Sequence, residues 1–313
     1  MPNVLSQINE LVRTDPAAFA ARCDEAYTKA VERAARRIAE RRGESRVILL
    51  SGDSGAGKNT TALKIEEQLD RMGIETYTVS MDNYFKTLDP ETAPRNQEGD
   101  IDFESPFCLD VDLLNRHFAM LDEGRTIHGP RYEFARQRRS DTEAQPLRLG
   151  EAEMAIFEGI HALNDIIVGK NPRAFRLHVS ARRALVDGEG NVVFDESWLR
   201  LCRRIVRDYQ FRGLAAEFTL RLWPAVRRGE RLYVSTFKEN ALLTLDTSLA
   251  FECSALKPFV VPLLQEVSAG DFPVAESLLR AFDRIEPLDD RYIAPTSLAR
   301  EFIGGSSYNY SHH

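Results

Sequence analysis

The sequence predicts an α/β fold, a five-stranded parallel sheet flanked by helices. Apolar, β-rich runs recur at 47–51, 74–80, 154–158, 174–179 and 241–246. Helical patterns lie between most of them, the alternation that a right-handed crossover turns into parallel strands. The first run breaks into glycines and resumes as a helical pattern from Thr61 to Leu69, so it reads as strand, phosphate loop, helix.

That break is Gly52-Asp53-Ser54-Gly55-Ala56-Gly57-Lys58-Asn59-Thr60. Its spacing fits G-x-x-x-x-G-K between a strand and a helix, the context such a motif requires. The glycines let the backbone turn tightly and aim successive N–H groups at a polyphosphate, while Lys58 reaches the β and γ phosphates. Where the motif expects Ser or Thr to place a hydroxyl on Mg²⁺, this chain has Asn59, whose amide oxygen is a neutral ligand. Thr60 is a poor substitute, because one step along a helix turns a side chain by about 100°.

In chain order, residues 1–44 form an N-terminal helical extension, with Asp15-Pro16 as a cap and first-turn proline. Arg36, Arg37, Arg41 and Arg42 are mixed with Glu32, Glu40 and Glu44, which suits a solvated or packed helix better than a nucleic-acid surface. Residues 45–255 form the main domain. Gly73 ends the loop helix, and the second strand leads to Asp82. Ligands in open α/β sheets bind beyond the carboxyl ends of strands, so Asp82 and Lys58 should share one crevice. There a carboxylate can take the proton of an attacking hydroxyl.

Residues 88–102 read as a loop, followed by Asp102-Phe103-Glu104-Ser105-Pro106 and a helix through Asn115. A β-hairpin insertion is expected at about 128–149, with Tyr132 on one arm and Arg136-Gln137-Arg138-Arg139 at the tip, suited to a planar polar ligand. The third strand ends in Glu158, placed to work on Mg²⁺. His161 and His178 lack a partner at ligand spacing and read as packing residues.

A lid is expected at about 185–232. Arg200, Arg203, Arg204 and Arg207 follow i, i+3, i+4, i+7 on one helical face, with Arg212 just beyond. A polar stripe of that density seldom packs into a core, so it is expected to meet the anions of a triphosphate. Residues 256–313 read as a helical segment and tail.

Composition narrows the classes. At 313 residues with net charge −7 and pI near 5.5, the chain is not expected to bind nucleic acid generally, which calls for a basic face. Its four cysteines form no C-x-x-C pair, so a reduced cytoplasm is the expected compartment. No apolar run approaches a membrane span, and no charged-then-apolar signal opens the chain.

Taken together, 52–60, 80–85, 102–106 with 130–139, 157–160 and 200–213 resemble, in that order, the uridine-cytidine kinase and phosphoribulokinase branch of the P-loop kinases. Arg203 to Gly213, Trp223 to Glu230 and Arg300 to Gly305 are similar to a bacterial uridine kinase-like subgroup, which often carries an N-terminal extension related to threonyl-tRNA synthetase. The resemblance implies a P-loop NTPase fold, ATP on 52–60, Arg204 and Arg207, and Mg²⁺ at Asn59 and Glu158. It implies Asp82, Lys58 and Arg203 in catalysis, and Tyr84, Phe103, Glu104, Tyr132, Gln137, Arg200 and Arg212 around the acceptor. It also implies a homo-oligomer. Two positions depart from the branch: Glu104 stands where a ribose-holding Asp is usual, and Gln137 where a base-reading His is usual.

The expected function is an ATP- and Mg²⁺-dependent kinase acting on a small-molecule primary hydroxyl, uridine or cytidine first. The alternatives are another acceptor, such as a sugar, polyol or unusual nucleoside, and a non-catalytic nucleotide-binding regulatory or RNA-associated protein. Asn59 and the arginine-rich helix motivate the last of these.

Overall fold

The computed structural model describes residues 3–133, 136–140, 142, 146–267 and 270–310. Five parallel strands make the central sheet: β1 (Val47–Gly52), β2 (Thr76–Ser80), β3 (Met154–Glu158), β4 (Phe175–Ser180) and β5 (Leu243–Asp246), in spatial order β5-β4-β1-β3-β2. Every residue of β1 and β3 is buried, as expected of inner strands covered on both faces. The register sets Leu50 and Ser80 level with Glu158. The turns that follow β1 and β2 therefore leave the sheet beside the end of β3.

The helices are α1 (Leu5–Thr14), α2 (Pro16–Glu40), α3 (Lys58–Arg71), α4 (Val111–Asp122), α5 (Asp165–Val168), α6 (Glu196–Arg212), α7 (Ala216–Tyr233), α8 (Glu252–Gln265), α9 (Pro273–Asp283) and α10 (Arg300–Ile303). Helix α2 starts where its chemistry dictates: the Asp15 carboxylate accepts from the Ala18 amide at 3.2 Å, with Pro16 in the first turn. Its apolar face, including Phe19, Val31 and Ile38, joins the same core as Leu50, Ile65 and Leu177. The expected hairpin is present as two short antiparallel ladders, Ile127–His128 with Pro146–Leu147 and Tyr132–Glu133 with Arg138–Arg139. Phe134, on the predicted arm, lies outside the described residues.

One buried ion pair joins four parts of the chain. Arg203 of α6 is fully buried, and its guanidinium meets the Glu252 carboxylate through two bonds of 2.6 and 2.7 Å. It also donates to the carbonyls of Gly55 in the phosphate loop (3.0 Å) and Thr247 after β5 (2.8 Å). This corrects the expectation that Arg203 faces a phosphate: its anion is Glu252 of α8.

Removing one member of such a pair strands the other charge in the core. Arg203→Met is expected to cost about 3 to 5 kcal/mol. The double variant Arg203→Met/Glu252→Leu should recover much of that, because it leaves no uncompensated charge. Urea denaturation of the three proteins checks this; a loss below about 1 kcal/mol in the single variant contradicts it.

Candidate active site

The loop after β1 turns tightly and enters α3 through Gly57, which holds φ +81°. A Cβ there would also stand 2.9 Å from Leu298, so both backbone and packing require glycine. Lys58 is the first residue of α3, and its ammonium reaches back to the carbonyls of Gly52 (3.2 Å) and Asp53 (3.4 Å). Asp53 lies beneath, paired with Lys238 at 3.5 Å. Burial raises its pKa, but Arg200, Lys238, His178 and Lys58 outweigh burial and hold it below the ordinary value.

Beside the loop lies a cavity of about 660 Å³. Lys58 and Asn59 enter it from α3, Asp82 and Asn83 from the 3₁₀ turn after β2, and Glu158 from the end of β3. Burial, then the charge of Asp82, pushes the Glu158 carboxyl up to about 7, with Lys58 opposing. Glu104 closes another side. Burial pushes it to about 7 against the pull of Arg204. Its β-carbon lies so close to Gly229 of α7 that a Cβ at 229 would sit 2.4 Å away. The acid before it, Asp102, is clamped to α7 and its end by Arg228 (2.9 Å) and Tyr233 (2.9 Å).

Arg204, Arg207 and Arg212 complete the wall. One buried carboxylate organises them: Asp208 accepts from Arg207 at 2.7 Å, Arg212 at 3.0 Å and Thr219 at 3.3 Å, with Arg204 at 3.9 Å. Burial raises the Asp208 pKa, but the three arginines outweigh it and hold it low. Burial, then Arg207, lowers Arg204 to about 10, and its buried Nε has no partner among the described residues. An arginine short of an acceptor beside a phosphate loop is the donor set an anionic ligand fits.

Of the residues read from sequence, Ser54, Gly55, Gly57, Lys58, Asn59, Asp82, Phe103, Glu104, Glu158, Arg204, Arg207 and Arg212 line this one cavity. Gly52, Asp53, Ala56 and Thr60 are buried in the loop and first helical turn behind it. The others stand apart. Arg200 is buried against Glu230, bonded at 2.5 and 3.0 Å, and donates to the Ser54 carbonyl at 2.9 Å. Together with Arg203, it corrects the reading of the stripe: the half nearer the start of α6 is packed, with protein carboxylates as its anions. Tyr84 is fully buried, its hydroxyl 2.9 Å from His117 Nδ1, and so does not face an acceptor. Tyr132 packs on Phe85, ring centroids 5.6 Å apart. Gln137 is exposed at the hairpin tip with φ +50°.

Several residues escaped the sequence reading. Glu230 accepts from the Ser54 amide at 3.0 Å as well as from Arg200 and Arg227, and so ties α7 to the phosphate loop. Asp208 lay inside a quoted motif, and its i+4 relation to Arg204 and Arg212 was the available signal. Glu301, Asn309 and Tyr310 line the cavity from the C-terminal segment; Glu301 lay inside the quoted stretch Arg300 to Gly305, whereas no local pattern marked Asn309 and Tyr310.

A metal would find Asn59 and Glu158 on the same cavity wall as Lys58. Among the described residues no group of three or more His, Cys, Asp or Glu could hold one alone. That donor set fits Mg²⁺, which keeps waters and takes phosphate oxygens beside one or two protein ligands.

The model of the "Phosphoribulokinase / Uridine kinase family" matches residues 47–247, the segment that supplies nearly all of this cavity. Among curated proteins, a uridine kinase of Saccharomyces cerevisiae is 27% identical over 179 residues, 56% of this chain and 32% of that protein. Uridine-cytidine kinase 2-B of Danio rerio is 27% identical over 184 residues, 56% of this chain and 62% of that protein. The chain thus spans from about a third to under two thirds of these relatives. Among solved structures, D-glycerate 3-kinase of Cryptococcus neoformans covers 67% of this chain and 89% of its own at 12% identity, with a TM-score of 0.45, too low to weigh. With the family match spanning the phosphate loop, Asp82, Glu158 and the arginine helix, the chain belongs to the phosphoribulokinase/uridine kinase family.

Proposed function

We propose that the protein is an ATP- and Mg²⁺-dependent kinase that transfers the γ-phosphoryl group to a primary hydroxyl, with the 5′-hydroxyl of uridine or cytidine as its first acceptor class. One observation carries this: Lys58 and the phosphate loop, the carboxylate of Asp82 and three arginines wall a single cavity. A site that only bound nucleotide would need no carboxylate opposite the loop. The names of the curated relatives support the acceptor class.

In this reading the loop amides and Lys58 hold the phosphate chain. Arg204 and Arg207 neutralise charge on the transferring group, and Asp82 takes the proton of the attacking hydroxyl. Mg²⁺, held through Asn59 and Glu158, would supply further neutralisation of the phosphate oxygens. Phe103 and Glu104 face the acceptor, Glu104 as a hydrogen-bond partner for its hydroxyls. A sugar or polyol acceptor is the second reading. It is favoured by the placement of Gln137 and Tyr132, neither of which lines the cavity where a pyrimidine would need to be read.

ADP release across nucleosides, sugars and polyols tests the acceptor. Asp82→Asn is expected to lower turnover by about 10² to 10⁴ with ATP affinity nearly unchanged; full turnover in the variant removes Asp82 from the mechanism. Glu104 also yields a stability prediction. Its carboxyl rises from an ordinary 4.5 to about 7 on folding, so the folded protein holds an extra proton between those values. Stability from this group is therefore present at acid pH and lost as pH rises through about 7. Allowing for residual exposure, the loss is about 2 kcal/mol. Glu104→Gln should flatten the decline in denaturation midpoint between pH 5 and pH 8, and an unchanged slope contradicts this.

A further inference from the structure

A phosphate chain leaving the loop runs along the first turn of α3, where unpaired helix amides await an anion. One of them is already occupied by the chain itself. Glu301 of α10, 5% exposed, accepts from the Thr60 amide at 3.1 Å and from the Thr60 hydroxyl at 2.5 Å. The Tyr310 hydroxyl lies 3.0 Å from the same Thr60 oxygen. The contact is built rather than incidental. Arg300 fixes the start of α10 by donating to the carbonyls of Asp290 (2.6 Å), Ile293 (2.8 Å) and Gly304 (3.2 Å), and Phe302 is fully buried. Asn309 and Tyr310 line both the main cavity and a second one of about 230 Å³, whose other walls include Phe211, Arg300 and Tyr308. The tail is thus the partition between the two.

We propose that Glu301 is a built-in competitor for the donor nucleotide. Its carboxylate stands on Thr60 where the innermost phosphate of the nucleotide would bind, and donor binding requires residues 298–310 to release that contact. Two anions cannot share one N–H donor without strong repulsion at hydrogen-bond range, so the exchange is one for the other. Withdrawal of the tail would join the two cavities into a site long enough for a nucleoside beyond its phosphates. Residues 298–310 lie outside the matched family region, which ends at residue 247, and they include the Arg300–Gly305 stretch that resembles the bacterial uridine kinase-like subgroup. The proposal rests on the reading of 52–60 as a donor-phosphate site.

Calorimetric titration of ADP with MgCl₂ into the full chain, Glu301→Gln and Tyr310→Phe tests it. Glu301→Gln is expected to bind ADP roughly tenfold more tightly or better, because a charge-assisted competitor becomes a weak neutral one. Tyr310→Phe, at the periphery, should bind a few-fold more tightly. Equal affinity in all three overturns the proposal and leaves the donor site standing; binding by none overturns both. Should Glu301→Gln fail to fold, amide exchange on the wild-type chain decides: ADP should accelerate exchange in 298–310, and unchanged protection overturns the proposal.

Discussion

The Arg203–Glu252 pair is the constraint on which the rest of the site depends. A guanidinium with no exposure is tolerated in the core only because the carboxylate and two carbonyls take up its donors. Those carbonyls belong to the phosphate loop and to the turn after β5, so the geometry that neutralises Arg203 also fixes Gly55 relative to α6 and α8. Arg200 repeats the device one turn earlier, with Glu230 of α7 and the Ser54 carbonyl. The loop is thereby held from behind by two arginines whose charges are already spent on protein acids. Arg204 and Arg207, next on the same helix, share Asp208 with Arg212 and line the cavity.

This division explains what was legible in the sequence. The sheet, the phosphate loop, Asp82 and Glu158 follow from local patterns, because a strand end in a parallel sheet has only one place to point. The arginine stripe was equally visible, yet its spacing could not say which members serve ligand. Arg203 and Arg204 are neighbours in sequence, about 100° apart on the helix, and one is core while the other lines the site. The difference lies in Glu252, 49 residues beyond Arg203, and such distant acids carry no local signature. Tyr84 misled for a related reason. It follows Asp82 in a motif that looked wholly functional, but a 3₁₀ turn rotates each side chain by about 120° from the last, so Tyr84 points away from Asp82 and goes inward to His117.

The electrostatics of the cavity follow from the same packing. Carboxylates enter from four separate elements, Asp82, Glu104, Glu158 and Glu301, against Lys58 and three arginines. Burial pushes Glu104 and Glu158 toward neutrality, whereas Asp208, surrounded by arginines, is held ionised. The site thus holds two buried carboxyls raised to about 7 and an arginine nitrogen with no partner among the described residues. A phosphate chain with a divalent cation would relieve both at once, supplying anion to the arginines and charge to the acids.

The N-terminal helices enter this balance through α3. The Tyr27 hydroxyl of α2 is 2.8 Å from Thr61 Oγ1, and Asp24 accepts from Ser297 Oγ at 2.6 Å. These bonds flank Thr60 on one side and the start of the C-terminal segment on the other. Helix α2 therefore braces both partners of the Thr60–Glu301 contact without touching the cavity itself. The Ser297 anchor lies just before Leu298, which fills the space that a side chain at Gly57 would need. Release of Glu301 can then proceed from the tail end, Tyr310 inward, while Ser297 remains fixed to α2. The N-terminal helices and the tail, both outside the matched segment 47–247, thus meet around the first turn of α3.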